Sequence, residues 1–259
     1  MNMPRVLFIP DIFMDYRMWS DVPDRIRERA VAIHYDQHEQ VPWTTNNGRF
    51  LDAARRLAAG GSFDVVAAAG QAARFGFAVA EAGLGKGLVL FYPALDSFPD
   101  DLHVDFSDLD EMLEPYEQMA SVIRDPQADA GRLREVLLQT VRDTAGPDLP
   151  PDQLELALAM HSDHAQEMFE DLRSTAEAVA DGRVQSDPPW MERPWIDRLE
   201  ALTVPVTPVV TARRLAVGEA IARRAKDTQI VVADDVPGLA PVRERIRSAE
   251  ALLRMLDRT

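Results

Sequence analysis

The chain is predicted to be an α/β protein with a mostly parallel central sheet, helices on both faces and an inserted helical cap. Three observations predict it. Short apolar runs alternate with helix-period segments over residues 6–92, the pattern of βα units that close a parallel sheet. From Ser97 to Trp195 the strand runs stop and helical patterns take over. Alternation then returns from Val204 onward. The core is therefore assigned to residues 1–96 and 196–259, and the cap to residues 97–195.

Each element has its own signal. Val6–Pro10 is an apolar run that reads as a buried strand, followed by a loop and a helix around Trp19–Ala30. Val31–Tyr35 is the next strand. Arg49–Ala59 is a helix with Leu51, Ala54, Leu57 and Ala58 on one face. Phe63–Ala69 is a strand, Ala73–Ala82 a helix of small residues, and Leu88–Tyr92 a strand stopped by Pro93. The cap is punctuated by Pro115, Pro126, Gly146-Pro147, Pro150-Pro151, Gly182 and Pro188-Pro189. Val204–Val210, Val217–Ala225, Ile230–Ala233 and Val242–Leu256 then read as strand, helix, strand and amphipathic helix.

Composition narrows the chemistry. A chain of 259 residues buries roughly 70–75% of its unfolded surface and needs no covalent staple. It has no Cys, which removes disulfides, thiolate catalysis and Cys-ligated metals. The apolar run after Met1-Asn2-Met3-Pro4-Arg5 is too short for a signal peptide or a membrane span, so a soluble cytoplasmic protein is expected. A net charge of -15 makes nucleic acid and anionic membrane poor partners. Between Gly87 and Ile123 there is no Lys or Arg, while Asp96, Asp100, Asp101, Asp105, Asp108, Asp110, Glu111, Glu114 and Glu117 crowd together. That stretch is either a solvated face or a docking patch for a basic partner.

Five motifs, in order, carry a family resemblance. They are Val6-Leu7-Phe8-Ile9-Pro10-Asp11 with Arg17-Met18-Trp19, then Tyr35-Asp36-Gln37-His38, then Leu88-Val89-Leu90-Phe91-Tyr92-Pro93-Ala94. Trp195-Ile196-Asp197-Arg198-Leu199 with Val204-Pro205-Val206 follows, and Val236-Pro237-Gly238-Leu239-Ala240-Pro241 with Glu244-Arg245 closes the series. Together they resemble the first strand and oxyanion loop, the later strand ends, the return from the cap and the final turn of the α/β-hydrolases. The resemblance covers the whole chain and implies a catalytic Ser on a Gly-x-Ser-x-Gly elbow, a His and an acid.

This sequence departs from that set at each position. With the elbow laid on Ala68-Ala69-Gly70-Gln71-Ala72-Ala73-Arg74, Ala72 stands for the nucleophile and Arg74 for the last Gly. Leu215 aligns with the acid and Leu239 with the His. Asp96 follows an earlier strand where some members keep the acid, yet no His occurs after His164 for it to orient. Pro10-Asp11 stands where His-Gly is usual, and a carboxylate there would repel a developing oxyanion. Loss of the nucleophile alone costs on the order of a million-fold in rate. The elbow offers no Asp nucleophile either.

What the resemblance leaves is a cavity under a cap, made more apolar by Ala72, Leu215 and Leu239, which suits a hydrophobic small molecule held by few hydrogen bonds. Asp11, Ile12, Tyr16 and Gln71 are expected to line it, with His161 and His164 reaching in from the cap. Asp11 and Tyr16 are the candidate acid and base. Alternatively Asp11 caps the following turn, or pairs with Arg17 or Arg74. His161, His164 and Glu167 share one helical stripe that a metal could use, although no metal is assigned. The expected function is a cofactor-free cyclase, lyase or isomerase of secondary metabolism acting on an apolar substrate. A ligand-binding sensor and a scaffold docking through the acidic cap, as a homodimer or on a basic partner, are the alternatives.

Overall fold

The computed structural model describes residues 3–11, 14–35, 47–95, 109–145, 150–181, 194–233 and 245–259. Its sheet consists of β1 (Arg5–Ile9), β2 (Val31–His34), β3 (Val65–Ala69), β4 (Leu88–Phe91), β5 (Val206–Thr211) and β6 (Val231–Ala233). The order is β2-β1-β3-β4-β5-β6 and every pairing is parallel. Five helices of the same unit surround it: α1 (Val22–Ile26), α2 (Asn47–Ala58), α3 (Ala73–Glu81), a short turn of helix α7 (Trp195–Arg198) and α8 (Leu215–Arg224); a sixth, α9 (Arg245–Leu256), ends the chain. Between β4 and α7 lie α4 (Leu109–Arg124), α5 (Ala130–Ala145) and α6 (Pro151–Ala180).

The interior strands are buried throughout because helices cover both faces of a parallel sheet. Side chains alternate, so Leu7, Ile9, Val66, Ala68, Leu88 and Leu90 pack with Phe50 and Ala54 of α2, Phe77 of α3, Trp195 and Ile221. The opposite face carries Phe8 and Phe91, both edge-on to the fully buried Trp19. α3 approaches β3 closely at Gly76, where an added Cβ would lie 2.6 Å from the Ala68 Cβ. At the amino end, Arg5 closes α2 by donating from both terminal nitrogens to the carbonyls of Ala58 and Leu57, each at 2.7 Å. Its backbone N–H binds Asp64, which also pairs with Lys86 at 2.6 Å. Burial alone would raise the Asp64 carboxyl, but Lys86 and Arg5 outweigh it and hold it below the usual carboxylate range.

The long helix expected over Trp19–Ala30 is broken. Tyr16–Trp19 forms a 3-10 turn with the Asp15 side chain as its cap, and Ser20 at φ 48° interrupts the chain before α1 begins with Pro at its start. β4 stops at Phe91 instead of Tyr92 for a similar reason: Tyr92 sits at φ 49°. The second unit is an all-helical bundle of α4, α5 and α6 whose interior holds Val122, Leu133, Leu137, Val141, Ala157, Met160, Met168 and Phe169. Met160 and Met168 thus pack helices, as expected for flexible apolar side chains. No helix among the described residues is long and apolar enough to cross a membrane.

Candidate functional site

β3 ends at Ala69, and Gly70 takes φ 54°, a left-handed conformation that glycine adopts without steric cost. A 3-10 turn over Gly70–Ala72 then leads into α3. The sheet register pairs Ile9 with Ala68 and Ala69 with Phe91, so the residues after β1, β3 and β4 emerge at one level of the carboxyl edge. There the Asp11 carboxylate lies directly over Gly70: a Cβ on Gly70 would be 1.9 Å from Oδ2 and 2.5 Å from Oδ1. The Gln71 N–H donates to Asp11 Oδ1 at 2.8 Å. The carbonyl of that same peptide unit, Gly70 O, accepts from the Ala94 N–H at 2.9 Å. The Gly70–Gln71 peptide is therefore clamped at both ends, its N–H by a carboxylate and its carbonyl by an amide.

The positive φ does not fall at Ala72. Ala72, aligned by sequence with the apex of the elbow, has φ -71° and ψ -3° and belongs to the helical turn. The residue at positive φ is Gly70, two residues earlier, because the strand ends at Ala69 and glycine is the one residue of this Ala-rich run that enters the left-handed region cheaply. The glycine at 70 was the available signal. The close helix–strand contact is made by Gly76, and the Arg74 guanidinium lies over the Phe75 ring.

Asp11 and Gln71 are thus brought together over Gly70, while Ala72, the next residue of the turn, is buried. The Asp11 carboxylate accepts from the Gln71 N–H of the 3-10 turn Gly70–Ala72, 60 residues away in sequence. Tyr16 does not share this placement: it is 55% exposed, with its ring edge against His34. Arg17 pairs with Asp15 at 2.6 Å. Leu215 opens α8 just beyond the carboxyl end of β5, half-buried. Ile12, Asp96 and Leu239 lie outside the described residues, as does the acidic stretch up to Asp108.

In the helical unit, His161 and His164 lie three residues apart on α6. Burial, with the neighbouring His164 adding to it, pushes the His161 imidazole down to about 4, so it is neutral at physiological pH. His164 Nδ1 stands 4.0 Å from Glu167. Among the described residues no group of three or more His, Asp or Glu is arranged to hold a metal ion. His34 was read only as part of a strand; it stacks on Phe8 and is half-buried, and burial lowers its imidazole below the ordinary value.

Solved structures match this architecture over nearly its whole length. The MenH structure from S. aureus superposes with a TM-score of 0.69 over 100% of this chain and 95% of its own, at 12% identity. The enol-lactonase from Burkholderia xenovorans LB400 gives 0.68 over 99% and 92%, at 14% identity. A thermophilic esterase from Thermogutta terrifontis gives 0.64 over 98% and 90%, at 18% identity. The fold is that of the α/β-hydrolases. No family model and no curated sequence matches the chain. In this α/β-hydrolase sheet the strand order reverses between β1 and β3, and the crevice outside such a reversal is where open α/β sheets bind ligands. Asp11 follows one of those strands and Gly70 the other.

Proposed function

We propose that this protein is a non-hydrolytic, cofactor-independent enzyme of the α/β-hydrolase fold, a cyclase, lyase or isomerase that moves a proton on an apolar small molecule through Asp11. One observation carries the reading: the Asp11 carboxylate accepts the Gln71 N–H directly above Gly70. In hydrolases of this fold the strained strand-to-helix residue bears the nucleophile, and the N–H after it helps bind the oxyanion. Here the residue at positive φ is a glycine with no side chain, and the following N–H is already engaged by a carboxylate. Acyl transfer at this turn would lack an attacking atom on residue 70, and one backbone donor for an oxyanion is already engaged.

A carboxylate fixed by a backbone N–H over a glycine suits proton transfer. Asp11 takes a proton from a carbon or hydroxyl of the substrate while the bonding pair stays with the substrate. It returns the proton at a second position in an isomerisation or cyclisation, or to the departing group in an elimination. Confinement of the substrate in one conformation supplies the rest of the acceleration. Placement at the reversal of strand order supports a ligand site at Asp11.

Native mass spectrometry of freshly purified protein tests for the apolar ligand, and its mass identifies the compound for turnover assays. On that compound, Asp11→Asn is expected to remove turnover while leaving affinity nearly unchanged. Binding without turnover by the native protein would assign it as a ligand-binding sensor instead.

A further inference from the structure

We infer that Tyr92 is a positioning residue of the Asp11 site, acting through Ala94 and the Gly70–Gln71 peptide; the inference rests on the proposed role of Asp11. Tyr92 follows Phe91, and Gly70 follows Ala69, its register partner on the adjacent strand. Both strands therefore end at the same level in a left-handed residue, Gly70 at φ 54° and Tyr92 at φ 49°. For glycine that conformation is free; for a bulky aromatic it is a strained outlier of the kind that persists where surrounding structure demands it.

The demand is visible in the hydrogen bonds. The Tyr92 N–H still extends the ladder to the Val209 carbonyl at 2.8 Å, so the chain turns at Tyr92 itself and not before it. The turn, held by Pro93, brings the Ala94 N–H back to Gly70 O at 2.9 Å. Had β4 run on extended, residue 94 would lie further along the strand direction, away from Gly70. The Gly70 carbonyl and the Gln71 N–H are the two ends of one planar peptide unit, so fixing the carbonyl fixes the direction in which the N–H points. It also polarises the unit and strengthens the bond to Asp11. Tyr92, Ala94, Gly70, Gln71 and Asp11 thus form a relay from a strained turn on one strand to a carboxylate on the strand two places away.

Ala59 and Ser20 share the positive φ without this connection: Ala59 ends α2, and Ser20 follows the 3-10 turn before α1. Tyr92 alone of the three stands at the carboxyl edge beside the elbow.

The test reads the Gln71–Asp11 hydrogen bond by the scalar coupling between the Gln71 nitrogen and the Asp11 carboxyl carbon, and by exchange of the Gln71 amide. Native protein is compared with Tyr92→Gly, Tyr92→Val and Ala94→Pro; protection of the Val66 and Leu90 amides verifies that the sheet is intact. Tyr92→Gly, which keeps the left-handed turn, should retain the coupling. Tyr92→Val, whose β-branch opposes that turn, and Ala94→Pro, which deletes the donor, should lose it and speed Gln71 exchange about tenfold or more. Ala94→Pro leaves Tyr92 untouched and serves if Tyr92→Val does not fold. Coupling retained in Ala94→Pro, or lost in Tyr92→Gly, overturns the inference. No substrate enters the measurement, so failure of the proposed reaction would leave this result standing, and the reverse also holds.

Discussion

The Asp11 carboxylate fills the space that any side chain on Gly70 would need, since a Cβ there would lie 1.9 Å from Oδ2. The two residues are therefore coupled: the site tolerates a carboxylate at 11 only with glycine at 70. Gly70→Ala should lose stability twice over. The left-handed backbone costs about 1–2 kcal/mol for a residue with a Cβ, and the overlap adds about 1–3 kcal/mol. Adding Asp11→Gly removes the overlap but not the backbone cost. A double-mutant cycle by urea unfolding should therefore return a coupling of about 1–3 kcal/mol.

Removing the acceptor has a different signature. Asp11→Ala leaves the half-buried Gln71 N–H without its bond and is expected to cost about 1–2 kcal/mol. Asp11→Asn keeps an oxygen in place and should stay within about 0.5 kcal/mol of the native protein. Equal urea midpoints for the Ala and Asn variants would contradict the assignment of that bond.

Arg5 holds the far end of the sheet. Its two donors satisfy the last carbonyls of α2 while its guanidinium lies over the Phe63 ring. Arg5→Met keeps apolar bulk but strands both carbonyls, at an expected cost of about 1–3 kcal/mol. Because Arg5 opens β1 and Asp11 follows its other end, binding of the co-purified ligand should be unaffected below the unfolding transition.

His161 gives the helical unit a pH response of defined sign. Its folded value of about 4 lies below the ordinary 6.5, so the neutral imidazole is the folded form. The contribution is fully present above pH 6.5 and is lost as pH falls from there toward 4, by up to about 3 kcal/mol. His161→Leu should flatten that slope, which chemical denaturation at pH 7, 6, 5 and 4 would measure. Parallel curves for the two proteins would contradict it.

Strand and helix positions were readable because the sheet's apolar runs are long and closely bounded, as at Val65–Ala69 and Leu88–Phe91. The place of Asp11 after the first strand is legible in the sequence. Its partner is not, because the contact depends on Ile9 lying against Ala68, a register between strands far apart in sequence. The positive φ at Gly70 is not legible from motif spacing, because small residues stand at both Gly70 and Ala72. Tyr92 left no trace at all, since tyrosine has no preference for the left-handed turn it adopts. The early helix was overextended because Ser20 and Pro23 divide it in a way hydrophobic periodicity does not register.

The central claim is that the elbow holds a carboxylate acting on protons, and no acyl nucleophile. Incubation with p-nitrophenyl acetate and p-nitrophenyl butyrate, followed both by p-nitrophenol release and by intact-protein mass, tests it most directly. The account predicts release no faster than in buffer with a surface-matched control protein, and no acyl adduct. Rapid release together with an acetyl or butyryl adduct that disappears in Asp11→Asn would contradict it, making Asp11 a nucleophile and this protein a hydrolase after all.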